Sequence, residues 1–282
     1  MFRVDNANSI LLNRFFTRNT FKQVIDEGTA PAYIAAIRRY IVDSTGKTNE
    51  ECISEIYQHL KDEYQNEYFY KNTLLNKLLL GVHSPRTTTA LTEVPVGNSK
   101  ADFILINGKA VVYEIKTALD NFDRLDGQIK DYYKAFSRVV VVTSEKNFDD
   151  IQQRLQNSPT GICLLTNKGT LSVRKEPIEY REKLSKPTMF RILRKNEHEQ
   201  ILLKHFGSLP DVSQFEYYRA CQLMFDTLPV DVAYQMFIQA LKSRAKIDVV
   251  EYSKIPYELK FLIYFSNYKK SDYAKLYRFL NT

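Results

Sequence analysis

The chain has 282 residues, of which 44% are hydrophobic and 13% aromatic. This composition supports a buried core in one large or two modest domains and excludes an intrinsically disordered chain. The 40 Lys and Arg residues exceed the 33 Asp and Glu residues, which gives a formal net charge of +7. That mild excess suits an anionic partner such as nucleic acid without identifying one.

The cysteines and the first residues of the chain indicate the compartment. Cys52, Cys163 and Cys221 are far apart, so they form neither a zinc-ligand spacing nor a disulfide framework, as expected in a reducing compartment. Asn13 and Arg14 interrupt the first apolar run before a signal-peptide core forms, and no run approaches the length of a membrane span. We therefore expect a soluble, cytoplasmic protein that does not bind a membrane.

The first part of the chain is predicted to be helical, with an N-terminal segment over residues 1–47. Thr48 and Glu51 then form a capping box, because the hydroxyl accepts a first-turn N–H and the carboxylate reaches back to the start of the helix. Cys52, Ile56 and Leu60 follow at helical spacing and form the apolar side of that helix.

Five β-strands are predicted in the middle of the chain. Asn107-Gly108 is a hairpin signal between the second and third, and the four consecutive valines of the fourth indicate a strand that is covered on both faces. The predicted strands are 87–96, 100–106, 109–116, 138–143 and 161–166. Predicted helices at 120–136 and 148–155 alternate with them, so we expect an α/β (α+β) fold with a central mixed sheet flanked by helices.

After about residue 177 the pattern is almost entirely helical. The polar segment 177–188, which contains Pro177 and Pro187, is predicted to be a linker. Five helices are predicted beyond it, at 196–206, 213–226, 230–244, 256–267 and 271–280. The expected organisation is therefore an N-terminal helical segment (1–47), a central α/β core (48–176) and a helical C-terminal domain (177–282).

The second and third strands carry the residues with the most informative chemistry. Asp102 lies on one strand, and Glu114 and Lys116 lie two residues apart on the next, which places these last two on one face. Two acids and a lysine suit phosphodiester hydrolysis, because carboxylates hold a divalent ion and an ammonium group orients water or stabilises charge on the phosphate. The histidines and cysteines are scattered, so oxygen ligands and Mg²⁺ or Mn²⁺ are expected. The Ile115 carbonyl is a further candidate ligand.

The length of the hairpin loop decides whether the two acids meet. A plain two-residue turn at Asn107-Gly108 places Asp102 opposite Tyr113 and sends Glu114 to the other face of the sheet. A three-residue loop ending at Lys109, with one residue in the left-handed region, pairs Asp102 with Glu114. We predict that geometry, or a bulge with the same effect.

Several other residues are candidates for supporting the site. Arg124, Gln128 and Tyr132 recur at every fourth position of the following helix, and they either flank the site or form a solvated helix face. Glu93 and Lys100 lie on adjacent strand or turn positions. The simpler alternative for the whole constellation is a salt-bridged cluster at the end of a sheet. A second Glu-x-Lys, Glu258-Leu259-Lys260, has no paired acid and is interpreted as surface charge.

The central residues resemble the PD-(D/E)XK nuclease superfamily, which has the restriction-endonuclease-like fold. The resemblance rests on Asp102 and Glu114-Ile115-Lys116 across a hairpin, with Ala101 where a proline is usual, and on Gln128-xxx-Tyr132, which is similar to a motif of the RecB-like branch. The segment from Glu93 to about residue 145 also resembles a poorly characterised bacterial family within it. Lys100 stands there in place of arginine, and Asp120, Arg124 and Leu125 match.

The resemblance implies a restriction-endonuclease-like core over 48–176 and a Mg²⁺- or Mn²⁺-dependent nuclease, with DNA as the expected substrate. It implies Asp102, Glu114 and Lys116 as catalytic residues, a role in phage defence or a mobile element, and in some members an acid on the first core helix, for which Glu55, Glu63 and Glu67 are candidates or simply surface charge. An inactive module of this fold that binds nucleic acid or protein is the alternative. The basic and aromatic C-terminal half is either core or a surface for nucleic acid, a protein partner or a homodimer.

Overall fold

The computed structural model describes residues 6–82, 84–244 and 247–282. The chain forms two compact units. The first comprises the described residues of Met1–Arg86, Asn167–Thr170 and Lys246–Thr282, and the second comprises Thr87–Thr166 and the described residues of Leu171–Ala245. The sequence predicts that three parts of the chain fold independently, 1–47, 48–176 and 177–282. This division stays a prediction.

The helices and strands have the following bounds in chain order. The α-helices are α1 (Asn6–Phe15), α2 (Arg18–Glu27), α3 (Pro31–Tyr40), α4 (Asn49–Glu63), α5 (Glu67–Leu74), α6 (Leu125–Tyr132), α7 (Phe148–Arg154), α8 (Lys186–Ile192), α9 (Lys195–Phe206), α10 (Gln214–Thr227), α11 (Val230–Lys242), α12 (Val249–Ser253), α13 (Lys260–Tyr264) and α14 (Lys270–Leu280). The strands are β1 (Thr89–Val96), β2 (Ser99–Asn107), β3 (Lys109–Lys116), β4 (Val139–Ser144), β5 (Gly161–Leu165) and β6 (Leu171–Lys175). A π-helical segment, Leu75–Val82, extends α5.

The second unit is built on a six-stranded mixed sheet in the order β1-β2-β3-β4-β5-β6. The β1–β2, β2–β3 and β5–β6 pairs are antiparallel, and the β3–β4 and β4–β5 pairs are parallel. Every residue of β4 is buried, which confirms that its four valines are covered on both faces. The mixed α/β class expected from the sequence is confirmed at this level.

Strand β6 was not expected from the sequence. Its five residues are half-buried or exposed and only Leu171 and Val173 are apolar, so the segment lacks the longer apolar run of the predicted strands. Gly169, which has a φ of +75°, stands in the turn before it. Such a turn residue followed by alternating side chains is the hairpin signal that identifies this strand.

Helix α6 positions the candidate site against the sheet. Leu125, Ile129, Tyr133 and Phe136 are buried in the core, as the spacing predicts. The helix is shorter than the predicted 120–136 and begins only at Leu125, because residues 117–120 form a turn instead. The Asp120 Oδ2 atom accepts hydrogen bonds from the Thr117 N–H and hydroxyl, each at 2.7 Å, and this local bonding competes with a helix.

The segment 177–188 is not a linker. The Ile178 N–H donates to the Pro159 carbonyl and the Tyr180 N–H to the Ser137 carbonyl, so the chain is fixed along the second unit. Ser185 then caps α8 by accepting a hydrogen bond from the Thr188 N–H. Pro187 lies in the first turn, where proline is tolerated because no N–H is needed there. The prediction took Pro187 as a chain breaker when it marks a helix start.

Helices α8 to α11 complete the second unit. Their buried side chains, including Phe190, Phe225 and Phe237, belong to the same core as the strands and α6. The Glu197 carboxylate forms a buried ion pair with the Arg244 guanidinium, at 2.7 Å to Nε and 2.6 Å to Nη2. The same Nη2 donates to the Ile192 carbonyl at 2.7 Å, so one arginine connects the ends of α8, α9 and α11.

The first unit is helical and brings both ends of the described chain together. The predicted capping box at Thr48 and Glu51 is present, and Cys52, Ile56 and Leu60 are buried as expected. Of the C-terminal aromatics, Tyr252, Phe261, Tyr264 and Tyr273 are buried, so for these residues the core interpretation is correct. None of the described helices has the length and hydropathy that a membrane span requires.

Candidate active site

The β2–β3 hairpin has the register that brings the two predicted acids together. Asn107 pairs with Lys109 across Gly108, whose φ of +70° is in the left-handed region. The ladder continues to the pair Phe103–Tyr113, and one further step places Asp102 opposite Glu114. The prediction of a three-residue loop with one left-handed residue is therefore confirmed, and both acids lie on the face that packs against α6.

Strand β1 adds a third acid beside Asp102. Glu93 lies between the register pairs Thr92–Phe103 and Val94–Ala101, so it stands opposite Asp102. One carboxylate oxygen of each residue lies within 4.8 Å of the other. Glu93 has a φ of +57°, a strained value for a residue with a side chain. Its carboxylate forms an ion pair with the partly exposed Lys100 ammonium at 2.5 Å.

Glu114 and Lys116 form a buried ion pair on β3. The Lys116 Nζ atom lies 2.9 Å from Glu114 Oε1, and the Glu114 residue is only 1% exposed. The same Nζ donates to Gln128 Oε1 at 3.0 Å. A lysine ammonium has three hydrogens, so these two bonds fix its position and leave one hydrogen to contact a ligand.

Tyr132 holds the other oxygen of Glu114. Its hydroxyl donates to Glu114 Oε2 at 2.6 Å and lies 2.9 Å from the Lys100 carbonyl oxygen. Burial, together with the nearby Glu114 charge, raises the pKa of Tyr132 well above its usual value, so the hydroxyl stays a donor at any physiological pH. Gln128 and Tyr132 lie one turn apart on α6, and both form hydrogen bonds with side chains of β3.

The donor set around Asp102 and Glu114 fits a hard divalent cation. Asp102 Oδ2 accepts a hydrogen bond from the Ile115 N–H at 2.8 Å. The N–H and carbonyl of one strand residue point to the same side, so the Ile115 carbonyl also points toward the Asp102 side of β3. Two carboxylates and a backbone carbonyl are oxygen ligands, which Mg²⁺ and Mn²⁺ prefer, and no histidine or cysteine belongs to this described cluster.

Arg124 does not join the Glu114–Lys116 cluster. It is the residue that precedes the first turn of α6, and it lines a surface groove together with Gln128. That groove lies between α6 and the turn from β1 to β2. Of the predicted supporting residues, Gln128 and Tyr132 therefore contact the central pair directly, whereas Arg124 borders an adjoining surface.

Asp131 is a structural residue of this site that sequence reasoning missed. Its carboxylate accepts hydrogen bonds from the Asn98 N–H at 3.1 Å and the Ser99 hydroxyl at 2.8 Å, which joins α6 to the β1–β2 turn. Burial alone would raise the pKa of Asp131, but hydrogen bonds from Lys134 and Ser99 outweigh it and lower the pKa. No local sequence pattern indicated this role, because both partners of Asp131 lie in the distant β1–β2 turn.

The sequence suggested that the second Glu-x-Lys, Glu258-Leu259-Lys260, is surface charge, and this prediction is wrong for its lysine. Lys260 is buried and donates to the Tyr252 carbonyl at 2.8 Å and the Ser253 carbonyl at 3.1 Å, so it caps the end of α12. Burial lowers the pKa of Lys260 to about 8. This motif therefore has a structural role in the first unit.

The candidate first-helix acids have local partners. Glu55 pairs with Lys47 at 2.6 Å, Glu63 with His59 at 2.8 Å and Glu67 with Lys71 at 2.5 Å. All three lie on helices α4 and α5 of the first unit. Each of the three acids therefore has a local charge partner.

Comparisons with known proteins identify a phage family. Residues 60–259 match the family model described as Bacteriophage P4 protein cII. A curated relative, Protein cII of Enterobacteria phage P4, is 29% identical over 93 residues. That alignment covers 32% of this chain and 31% of the relative, so the chain spans about a third of the relative's length. No solved structure matches the chain.

Proposed function

This chain belongs to the Bacteriophage P4 protein cII family, and we propose that it is a metal-dependent nuclease that hydrolyses phosphodiester bonds in DNA. The observation that carries the proposal is the hairpin register, which pairs Asp102 with Glu114 on one face and sets Lys116 Nζ 2.9 Å from Glu114. A six-stranded mixed sheet with the acids on an antiparallel hairpin and a supporting helix against it is compatible with a restriction-endonuclease-like core. The phage origin of the relative suits a role in a mobile element or in phage defence.

Asp102, Glu114 and the Ile115 carbonyl are the residues that would hold Mg²⁺ or Mn²⁺. A bound divalent ion would supply an activated water and neutralise charge on the phosphate. The chain's own contribution is positioning, because Gln128 and Glu114 fix the Lys116 ammonium and leave one N–H for a phosphate oxygen or a water. Tyr132 fixes the Glu114 carboxylate from the opposite oxygen.

Cleavage assays of purified full-length protein test the proposal. Plasmid, linear duplex, single-stranded DNA and RNA are incubated with Mg²⁺ or Mn²⁺, and each of Asp102→Asn, Glu114→Gln and Lys116→Ala is expected to lower the cleavage rate by about 10²–10³-fold. The exposed acid Glu176 lies outside the site, and Glu176→Gln is the control that keeps full activity. Cleavage that persists equally in all four variants contradicts the site.

The alternative is a module of the same architecture that binds nucleic acid or a protein partner without cutting it. The observation in its favour is that both Glu114 oxygens already have partners, Lys116 and Tyr132, inside a buried cluster. Tight DNA binding without cleavage of any substrate, together with no change in metal affinity in Asp102→Asn, is the result that favours this alternative.

A further inference from the structure

A basic groove adjoins the candidate site on the second unit. Its volume is about 750 Å³, and it lies between the exposed side of α6 and the β1–β2 turn. Gln128 lines the groove and also accepts the hydrogen bond from Lys116. The groove is therefore continuous with the Glu114–Lys116 cluster through a single side chain.

Basic residues outnumber acidic residues in the lining of this groove, and two of the basic residues form no ion pair within the described part of the chain. Four basic residues line it, Lys100, Arg124, Lys130 and Lys134, against the two acids Asp123 and Asp131. Lys134 is paired with Asp131 and Lys100 with Glu93. Among the described residues, Arg124 and Lys130 form no ion pair, and both side chains are exposed.

The residues that line the groove indicate which part of a nucleic acid would bind there. The groove is bordered by charged, amide and small residues, which include Gly97, Asn98 and Ser99, and no aromatic ring is among its described lining residues. Base stacking needs an aromatic or other flat apolar surface, whereas lysine and arginine contact phosphates irrespective of sequence. Arg124 and Lys130 are six residues apart, about 9 Å along a helix, so together they span more than one phosphate.

We propose that the groove formed by α6 and the β1–β2 turn binds the phosphate backbone of the DNA strand next to the bond to be cut, through Arg124 and Lys130, without reading base sequence. The proposal rests on the proposed nuclease function for its substrate class and adds how that substrate is held. Asp131 keeps the β1–β2 turn against α6 and so maintains the groove.

Binding is measured separately from cleavage, so that the two proposals fail independently. The full chain carrying Lys116→Ala serves as a non-cutting background, and its affinity for a fluorescent 20-base-pair duplex is followed by anisotropy at several salt concentrations. Adding Arg124→Gln and Lys130→Gln is expected to weaken binding at least tenfold. It is also expected to lower the slope of log affinity against log salt by about 2, because each phosphate contact contributes about 0.9.

The matched control removes the same charge elsewhere on the second unit. Lys183 and Arg219 are exposed, and Lys183→Gln with Arg219→Gln is expected to change affinity less than twofold. Equal losses in the two double variants, an unchanged salt slope, or no binding at all overturns the groove assignment. A tenfold preference between duplexes of scrambled sequence overturns backbone recognition. If DNA binds through the groove but the unmodified chain cleaves no substrate, the nuclease proposal is contradicted and the groove assignment is still supported.

Discussion

At the scale of single residues, the buried carboxylate of Glu114 depends on its two donors. Lys116 occupies one oxygen and Tyr132 the other, so each donor removed leaves a buried acceptor unsatisfied. Such an orphaned group costs about 1–3 kcal/mol. The same contacts that orient the acid for chemistry therefore also stabilise the fold.

Tyr132→Phe tests this dependence. We expect the free energy of unfolding to fall by about 1–3 kcal/mol, because Glu114 Oε2 loses its donor while the ring still fills its space. Tyr113→Phe, on the same strand as Glu114, is the matched control, since no hydrogen bond links the Tyr113 hydroxyl to another described residue. It is expected to change stability by less than about 0.5 kcal/mol. Urea denaturation measures both, and equal losses would contradict the role of Tyr132.

The Glu197–Arg244 pair predicts a dependence on pH. Burial alone would raise the pKa of Glu197, but the hydrogen bonds from Arg244 outweigh it and lower the pKa. The folded state then binds fewer protons than the unfolded state, so this contribution is complete above about pH 4.3 and is lost as the pH falls.

Glu197→Gln removes one partner of this buried pair. We expect a loss of about 3 kcal/mol in the free energy of unfolding at pH 7, and a shallower fall in stability below pH 5 than in the unmodified chain. The exposed acid Glu182 provides the control, because Glu182→Gln should leave both quantities unchanged. Denaturation curves between pH 3 and pH 7 measure the free energy of unfolding of each variant. Parallel pH profiles for the unmodified chain and Glu197→Gln would contradict the prediction.

At the scale of elements, tight turns position α6 and the hairpin. The β1–β2 turn contains Gly97, whose φ is +61°, and a Cβ there would lie 2.8 Å from Asp131 Oδ1. Gly108, in the β2–β3 turn, has a φ of +70° but no heavy atom within 4 Å of such a Cβ. The two glycines separate the cost of backbone strain from that of a steric clash.

Gly97→Ala and Gly108→Ala form a matched pair. Both variants carry a left-handed strain of about 1–2 kcal/mol. Gly97→Ala must in addition displace the Asp131 carboxylate, which breaks bonds to Ser99 and Asn98 and adds about 1–2 kcal/mol. Thermal unfolding compares them, and a Gly108→Ala variant that is as unstable as Gly97→Ala would show that the clash is relieved without cost.

The elements also show what sequence pattern can and cannot predict. Local sequence patterns correctly predicted five strands from β-branched residues and turns, the apolar side of α6 from its spacing, and the start of α4 from its capping box. They missed α8, whose Pro187 signals a stop in one context and a first turn in another, and the exposed strand β6. The hairpin register followed from counting residues between Asp102 and Glu114, whereas the Asp131 link depends on a turn 32 residues away and has no local signal.

At the scale of the whole molecule, the two ends of the described chain share one compact unit. Lys275 pairs with Asp26 at 3.0 Å, and the Asn49 amide donates to the Phe279 carbonyl at 2.8 Å. The Phe279 ring packs edge-on against Tyr33. The helices of the first unit from the N-terminal side are therefore completed by the last helix of the chain.

Phe279→Ala is expected to loosen this unit. Truncating a buried phenylalanine costs about 3–5 kcal/mol, and amide hydrogen exchange in α2, α3 and α4 should accelerate accordingly. Phe215 is fully exposed on α10, so Phe215→Ala should leave exchange unaltered in the same helices. Exchange that accelerates only in α14 would mean that α2 to α4 hold together without it.

The three-residue loop at Asn107 to Lys109 makes the site depend on whether a length is odd or even. Lengthening the loop by one residue, with the strands still paired in ladder fashion, rotates Glu114 and Lys116 to the opposite face from Asp102. Lengthening it by two restores their common face. The hairpin thus tolerates insertions in pairs and loses the constellation with single ones, so that the chemistry is governed by parity at a loop that itself contributes no side chain to the site.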